Sequence, residues 1–271
     1  MRKDCSADYA VVRGLVRGLD LLRGINAQEG GRSTLAQLAQ ATGLHRTTVR
    51  RLLETLITEG YVRRSSSDDR YALTLRVRSL SEGFRDEDWV SSLAAPVLSE
   101  LLQSVVWPTD LTTPEGAQMV IRESTHRFSP LSFHRAMVGQ RVPMLLTAAG
   151  RAFFSRCPPA QREEILVLAR GGDDDQARLA EDPRLIANIV ARTLEAGYGS
   201  NDGEWGAQRK VGAIAVPILL QGQAVAAVNV VYLNKLLTLK EAERRFLPAL
   251  QRAATRIEEG LQDKPELYPG R

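Results

Sequence analysis

Cysteine is nearly absent: two occur in 271 residues, Cys5 and Cys157, with no CxxC spacing. That excludes a disulfide framework and a cysteine-based zinc site, and it predicts free thiols in a reducing compartment. Histidine is equally scarce, with His45, His126 and His134 only and no HExxH pair. Joining His126, His134 and Cys157 into a zinc site would need a spacing that fits no standard arrangement. GxSxG, GxxxxGK(S/T) and GxGxxG are missing too, so the chain carries no hydrolase, P-loop or dinucleotide-binding signature. No apolar run approaches the ~18 residues of a membrane span, and residues 1–10 lack a signal-peptide core. The expectation is a soluble, cytoplasmic, nucleoid-associated protein that is not an enzyme, with no cofactor, no metal and no membrane partner.

What is present is unevenly distributed. Hydrophobic residues make up 44% of the chain, enough for the cores of two domains. The net charge of +4 divides sharply: residues 1–80 hold 14 Lys+Arg against 8 Asp+Glu, leaving 22 against 24 for the remainder. A basic third on a near-neutral body fits a nucleic-acid module attached to something else.

The basic third is organised around residues 34–56, TLAQLAQATGLHRTTVRRLLETL. Leu35, Leu38 and Ala39 repeat at the spacing of one helical face, as do Val49, Leu52, Leu53 and Leu56. Gly43 between them supplies the positive φ of a tight turn. With the apolar stripe turned inward, Arg46, Thr47, Arg50, Arg51 and Glu54 face out, as on the recognition helix of a helix-turn-helix. An ordinary helical hairpin with a solvated basic face, serving an enzyme or a sensor that does not touch DNA, is the alternative.

Upstream, residues 11–25 predict a first helix with Val12, Leu15, Leu19 and Leu22 on its buried face, and Ser33 or Thr34 can cap the next helix. Downstream, two short strands around a Ser/Asp turn at 65–69 predict a wing, with Arg63, Arg64 and Arg70 at its tip positioned for phosphate or a minor groove. Past a helical linker broken near 86–88, strands are expected at 109–113, 119–123 and 128–134. Helices follow at 148–155, 160–168 and 182–195, with 173–175 as a solvated loop. A hairpin of two long apolar strands at 211–220 and 224–233 is central to a sheet, and Thr238 caps a last helix. The class is α+β in two domains.

Three segments resemble the IclR-type transcriptional regulators: TGLHRTTVRRLLETLITEGYV, RAMVGQRVPMLLTAAGRAFF, and EAGYGSNDGEWGAQRKVGAIAVPILLQGQAVAAVNV. The resemblance spans roughly residues 11–262. It implies a winged helix-turn-helix at 10–75, a linker helix at 76–88, a GAF-like effector domain at 89–262 and a flexible tail at 263–271. It further implies a homodimer or tetramer on a near-palindromic double-stranded operator, with RNA polymerase as partner if it activates. DNA contacts would come from His45, Arg46, Thr47, Thr48, Arg50 and Arg51, and from Arg63, Arg64 and Arg70. His45 stands where many members place a proline. Asn229 and Val231 replace serines of glyoxylate-type sensors, which implies a less polar pocket suited to an aromatic acid of the hydroxyphenylpropionate kind. Such a ligand needs a cation, a partner for its ring hydroxyl and an apolar wall. Arg135 and His134 are the candidates for the acid. Trp107, Met137, Met144 and Asn229 are wall or polar candidates. The family often carries an acidic residue about four before a Gly that precedes the hairpin; here Lys210 stands in place of that Gly, and Asp202 and Glu204 lie further upstream.

Overall fold

The computed structural model describes residues 11–28, 31–80, 89–132, 134 and 136–264. The chain divides into two compact units, Met1–Arg85 and Asp86–Arg271. The break near 86–88, most of the linker and nearly all of the tail lie outside the described residues.

The first unit runs α1 (Arg13–Ala27), β1 (Arg32–Ser33), α2 (Leu35–Thr42), α3 (Arg46–Thr58), β2 (Val62–Arg64), β3 (Tyr71–Leu73) and α4 (Leu75–Ser79). Thr34 caps α2: its hydroxyl accepts from the Gln37 amide, while the Thr34 amide donates to the Gln37 side-chain oxygen. Gly43 ends α2 at φ 66°, the left-handed turn that separates it from α3. The three short strands pair in the order β1-β3-β2, all antiparallel, and complete a winged helix. Leu21, Ile25, Leu38, Val49, Leu53, Val62 and Tyr71 form its core.

Helix α1 departs from the expected face. Leu21 and Ile25 are buried, whereas Val12, Leu15 and Leu19 of the predicted stripe are exposed and only Leu22 packs. The sequence VVRGLVRGLDLLRGI is apolar on more than one side, so periodicity alone admits two stripes. Gly24 lies on the buried side, where a Cβ would stand 3.3 Å from the Leu38 side chain. The face bearing the glycine is the one that lets α2 come close.

The second unit runs α5 (Ala95–Val105), β4 (Thr109–Glu115), β5 (Gln118–Ser124), β6 (Arg141–Pro143), α6 (Ala148–Ser155), α7 (Pro159–Arg170), α8 (Asp175–Ala180), α9 (Pro183–Ala196), β7 (Gly199–Asp202), β8 (Val211–Leu220), β9 (Gln223–Leu233) and α10 (Leu239–Asp263). The strands form one antiparallel sheet in the order β6-β5-β4-β9-β8-β7. Gln221 and Gly222, both at positive φ, make the tight β8–β9 turn. Alternation sorts the sheet into two faces. Leu111, Ile214, Val216, Ile218, Val228, Val230 and Tyr232 pack against α5 and α10. Met119, Ala213, Ala215 and Ala227 pack against α6 and its neighbouring helices. The class is α+β, as expected.

One expectation fails here. The described residues of 128–134 form no strand: the amides of Phe128 and Ser129 both bond back to the Thr125 carbonyl, so the chain turns, and β6 is the edge strand instead. Of the run 173–175, Asp173 and Asp174 stay in the exposed loop, and Asp174 accepts from the Ala177 amide to cap α8, which opens at Asp175. Strand β7, too short and polar to show periodicity, was missed.

Candidate DNA interface and effector pocket

Helix α3 buries Val49 and Leu53 and leaves Arg46, Thr47, Arg50, Arg51 and Glu54 exposed. Among the described residues Arg46, Arg50 and Arg51 make no ion pair, so their forks are available to guanine edges or phosphate. His45 is the N-cap and not the first helical residue. Its Nδ1 accepts from the Thr47 amide and stands 2.9 Å from Thr47 Oγ1. Thr47 is therefore tied to the cap, and Nε2 of His45 is left to carry the ring proton. Thr48 is half-buried beside them.

The wing arginines are not equivalent. Arg63 is exposed and has no partner among the described residues. Arg64 donates through Nε and Nη2 to Asp69 Oδ1, at 2.9 and 2.6 Å, and lies over the Tyr71 ring. Its pKa is raised, first by that hydrogen bond and then by the charge of Asp69. Arg70 and Arg32 both face Asp68, at 3.7 and 3.9 Å. Exposed pairs of this kind are weak, so phosphate can compete for Arg64 and Arg70, but only Arg63 is free from the outset.

In the second unit, small residues hollow out one face of the sheet. A pocket enclosing about 550 Å³, its mouth included, lies between that face and α6. Its walls are Ile121, Val142, Val211, Ala213, Val231, Met137 and Trp205; its polar groups are Asp110, Thr112, His126, His134, Thr147, Asn201, Gln208 and Asn229. Ala148 and Ala149, the first residues of α6, also line it. Thr147 caps that helix by accepting from the Gly150 amide, which leaves first-turn N–H groups for an anion. Arg151 holds α6 in place: Nε donates to the Leu145 carbonyl and Nη1 to that of Ser200, and it pairs with Glu204.

The sequence comparison follows the same division. The family signature "IclR helix-turn-helix domain" matches residues 14–66, and "Bacterial transcriptional regulator IclR C-terminal" matches residues 86–259. The chain belongs to the IclR family. It is 29% identical over 255 residues to the Pca regulon regulatory protein of Pseudomonas putida, covering 92% of this chain and 84% of that one. To the p-hydroxybenzoate hydroxylase transcriptional activator of Acinetobacter baylyi it is 28% identical over 264 residues, covering 92% and 91%. An IclR homolog of Microbacterium hydrocarbonoxydans, solved with 4-hydroxybenzoate, shares the fold: TM-score 0.58 over 92% of this chain and 99% of that one, at 23% identity. As an IclR chain this is a DNA-binding transcriptional regulator with a C-terminal effector domain, and not an enzyme.

The IclR pocket gathers some of the expected effector residues and disperses others. His134, Met137 and Asn229 line it. Trp107 is instead in the core against α5 and α10, and Met144 is in the core on the α6 side; the large apolar side chains were consumed by packing. Asp202 ends β7 exposed, while its neighbour Asn201 lines the pocket, because side chains alternate along a strand. Arg135 lies outside the described residues. Burial, with the neighbouring His126, lowers the pKa of His134, so it offers a hydrogen bond and not a cation at neutral pH. Asn229 spends its carbonyl on the Asp110 amide at 2.8 Å. Sequence reasoning missed Asp110, Asn201, Trp205 and Gln208; a lone acid in the apolar-flanked strand TDLTT was the available signal for the first. His126 lines the pocket beside His134, their ring centroids 6.1 Å apart, while Cys157 is buried elsewhere. Among the described residues no three such groups come together to hold a metal, and no helix is long and apolar enough to cross a membrane.

Proposed function

We propose that this chain activates an aromatic-acid catabolic operon, binding a two-fold operator as a homodimer or tetramer and answering to a small aromatic carboxylic acid of the hydroxyphenylpropionate kind. The observation that carries the effector reading is the pocket itself, with apolar walls and a helix N-terminus for a carboxylate. A small, strongly hydrated acid such as glyoxylate gains little from such walls, whereas an aromatic ring gains its burial. The 4-hydroxybenzoate in the Microbacterium structure and the activator from Acinetobacter support the same class and sign.

On the DNA side, Arg46, Arg50 and Arg51 read base edges or hold phosphate, with His45, Thr47 and Thr48 at the helix start and Arg63 leading the wing contacts. One winged helix offers few base contacts, so two half-sites supply the specificity. The exposed Val12, Leu15 and Leu19 of α1 give a second copy an apolar face to cover. Sedimentation of the full chain, and footprinting on its own upstream region with and without meta-hydroxyphenylpropionate, test this reading. A monomer, or a footprint and a calorimetric trace that no aromatic acid alters, would refute the corresponding part.

A further inference from the structure

The polar end of the pocket holds two buried groups that the domain's own hydrogen bonds leave over. Asp110 and His126 are 2% and 3% exposed. Asp110 Oδ1 and His126 Nε2 have no hydrogen-bond partner among the described residues, although Nε2 stands 3.5 Å from Asp110 Oδ2.

Proton accounting around His126 fixes what is left over. Ser132 has one hydroxyl proton and gives it to the His134 carbonyl at 2.7 Å, while the His134 amide donates to the same oxygen. His126 Nδ1, 2.7 Å from Ser132 Oγ, must therefore be the donor of that pair. The other ring nitrogen faces a carboxylate. Without a proton, Nε2 sets an acceptor against an acceptor; with one, it has a donor not aimed at any acceptor. A hydroxyl inserted at this end donates its one proton to the Asp110 carboxylate or to the bare Nε2, the two acceptors that otherwise face each other, and where the ring holds both protons its oxygen accepts from Nε2–H. A carboxylate cannot take this place, because Asp110 repels it.

We infer that Asp110 and His126 together read a ring hydroxyl of the effector, with the effector's acid group at the other end, toward the start of α6. The inference rests on the pocket being the effector site. It makes the two residues specificity determinants: the pocket takes phenolic acids and rejects their deoxy analogues. Sites built to hydrogen-bond a hydroxyl discriminate strongly against ligands that lack it, because the site's own buried groups are then left unpaired.

The test is calorimetric titration of the full chain with two ligand pairs, 4-hydroxybenzoate against benzoate and meta-hydroxyphenylpropionate against phenylpropionate. The methyl ether of the better phenol is a third arm, keeping the oxygen but losing the proton. The expected result is a preference for the phenol on the order of 100-fold or more, with the ether as weak as the deoxy acid. Asp110→Asn should reduce that preference to a few-fold. Equal binding of phenol and deoxy acid by the wild-type chain would overturn the hydroxyl reading alone. Absence of binding by any of the five ligands would overturn the effector reading with it. Because the wild-type comparison decides the matter, a variant that fails to fold does not rescue the idea.

Discussion

Replacing Gly199 with alanine tests how α6 is held over the sheet, and with it the floor of the pocket. Gly199 lies in β7 opposite Ala215, where an added methyl would stand 2.2 Å from the Ala148 carbonyl oxygen and 2.6 Å from the Ala152 amide nitrogen. Both atoms are backbone of one helix, so no side-chain rotation relieves the clash. Non-bonded heavy atoms sit at about 3.5 Å or beyond, so α6 must retreat from β7 by roughly 1 Å. Overpacking a core costs ~1–3 kcal/mol, and an obstacle made of backbone puts this case at the upper end. A domain of this size loses about 2–4 °C per kcal/mol, which predicts a Tm lower by roughly 6–12 °C. Ala148 and Ala149 line the pocket, so the retreat should also weaken the titration with 4-hydroxybenzoate by more than about tenfold, since a displacement of that order misplaces a binding group. Operator binding without effector should persist. A melting temperature within a degree of wild type, with an unchanged titration, would refute the close α6–β7 contact and the placement of the helix start.

Three further outcomes are expected. Arg50→Ala should leave folding within about 0.5 kcal/mol, as the side chain is exposed and unpaired, yet weaken operator binding by ~1–3 kcal/mol per half-site in anisotropy titrations. Binding equal to wild type would remove Arg50 from the interface. Thr34→Ala breaks the capping box of α2 and should cost ~1 kcal/mol in urea denaturation; no change in midpoint would show that water replaces the cap. Glu258 is half-buried on α10, and burial raises its pKa despite a bond from the Leu219 amide. The folded state then holds the proton more tightly than the unfolded chain, so stability falls as pH rises from the ordinary carboxylate pKa through the folded value. Glu258→Gln should flatten that fall in denaturation midpoints measured across pH; an unaltered profile would assign it to other groups.

Much of the DNA-binding unit was legible because its signals are local. The Thr34 cap, the Gly43 turn and the outward arginines of α3 each depend on residues within a few positions of one another, and local hydrogen bonding and helical period fix them. The exception, the buried face of α1, failed where the sequence was apolar on two sides and a partner helix had to choose. The long β8–β9 hairpin was legible for the same reason of continuous pattern. The turn at 128–134 was not, since bonds from Ser129 to Val106 and from Phe128 and Ser129 back to Thr125 anchor it.

The effector pocket divides the same way. Its chemistry, an apolar site without the serines of glyoxylate-type sensors, could be argued from Asn229 and Val231 at known hairpin positions. Its membership could not. Asp110 and Asn229 are cross-strand neighbours separated by more than a hundred residues, and His126 reaches Asp110 only because the chain turns after β5. Trp107 and Met144 are as suitable in type as Trp205 and Met137, but all four lie in connections between elements, and tertiary packing sends the first pair into cores and the second to the pocket. The amino-acid sequence by itself determined the two units and the recognition helix, because each follows from composition or short-range spacing. Which polar groups face one another across the pocket was decided only by the sheet order and by α6 lying against β7, since those contacts join residues that no local pattern connects.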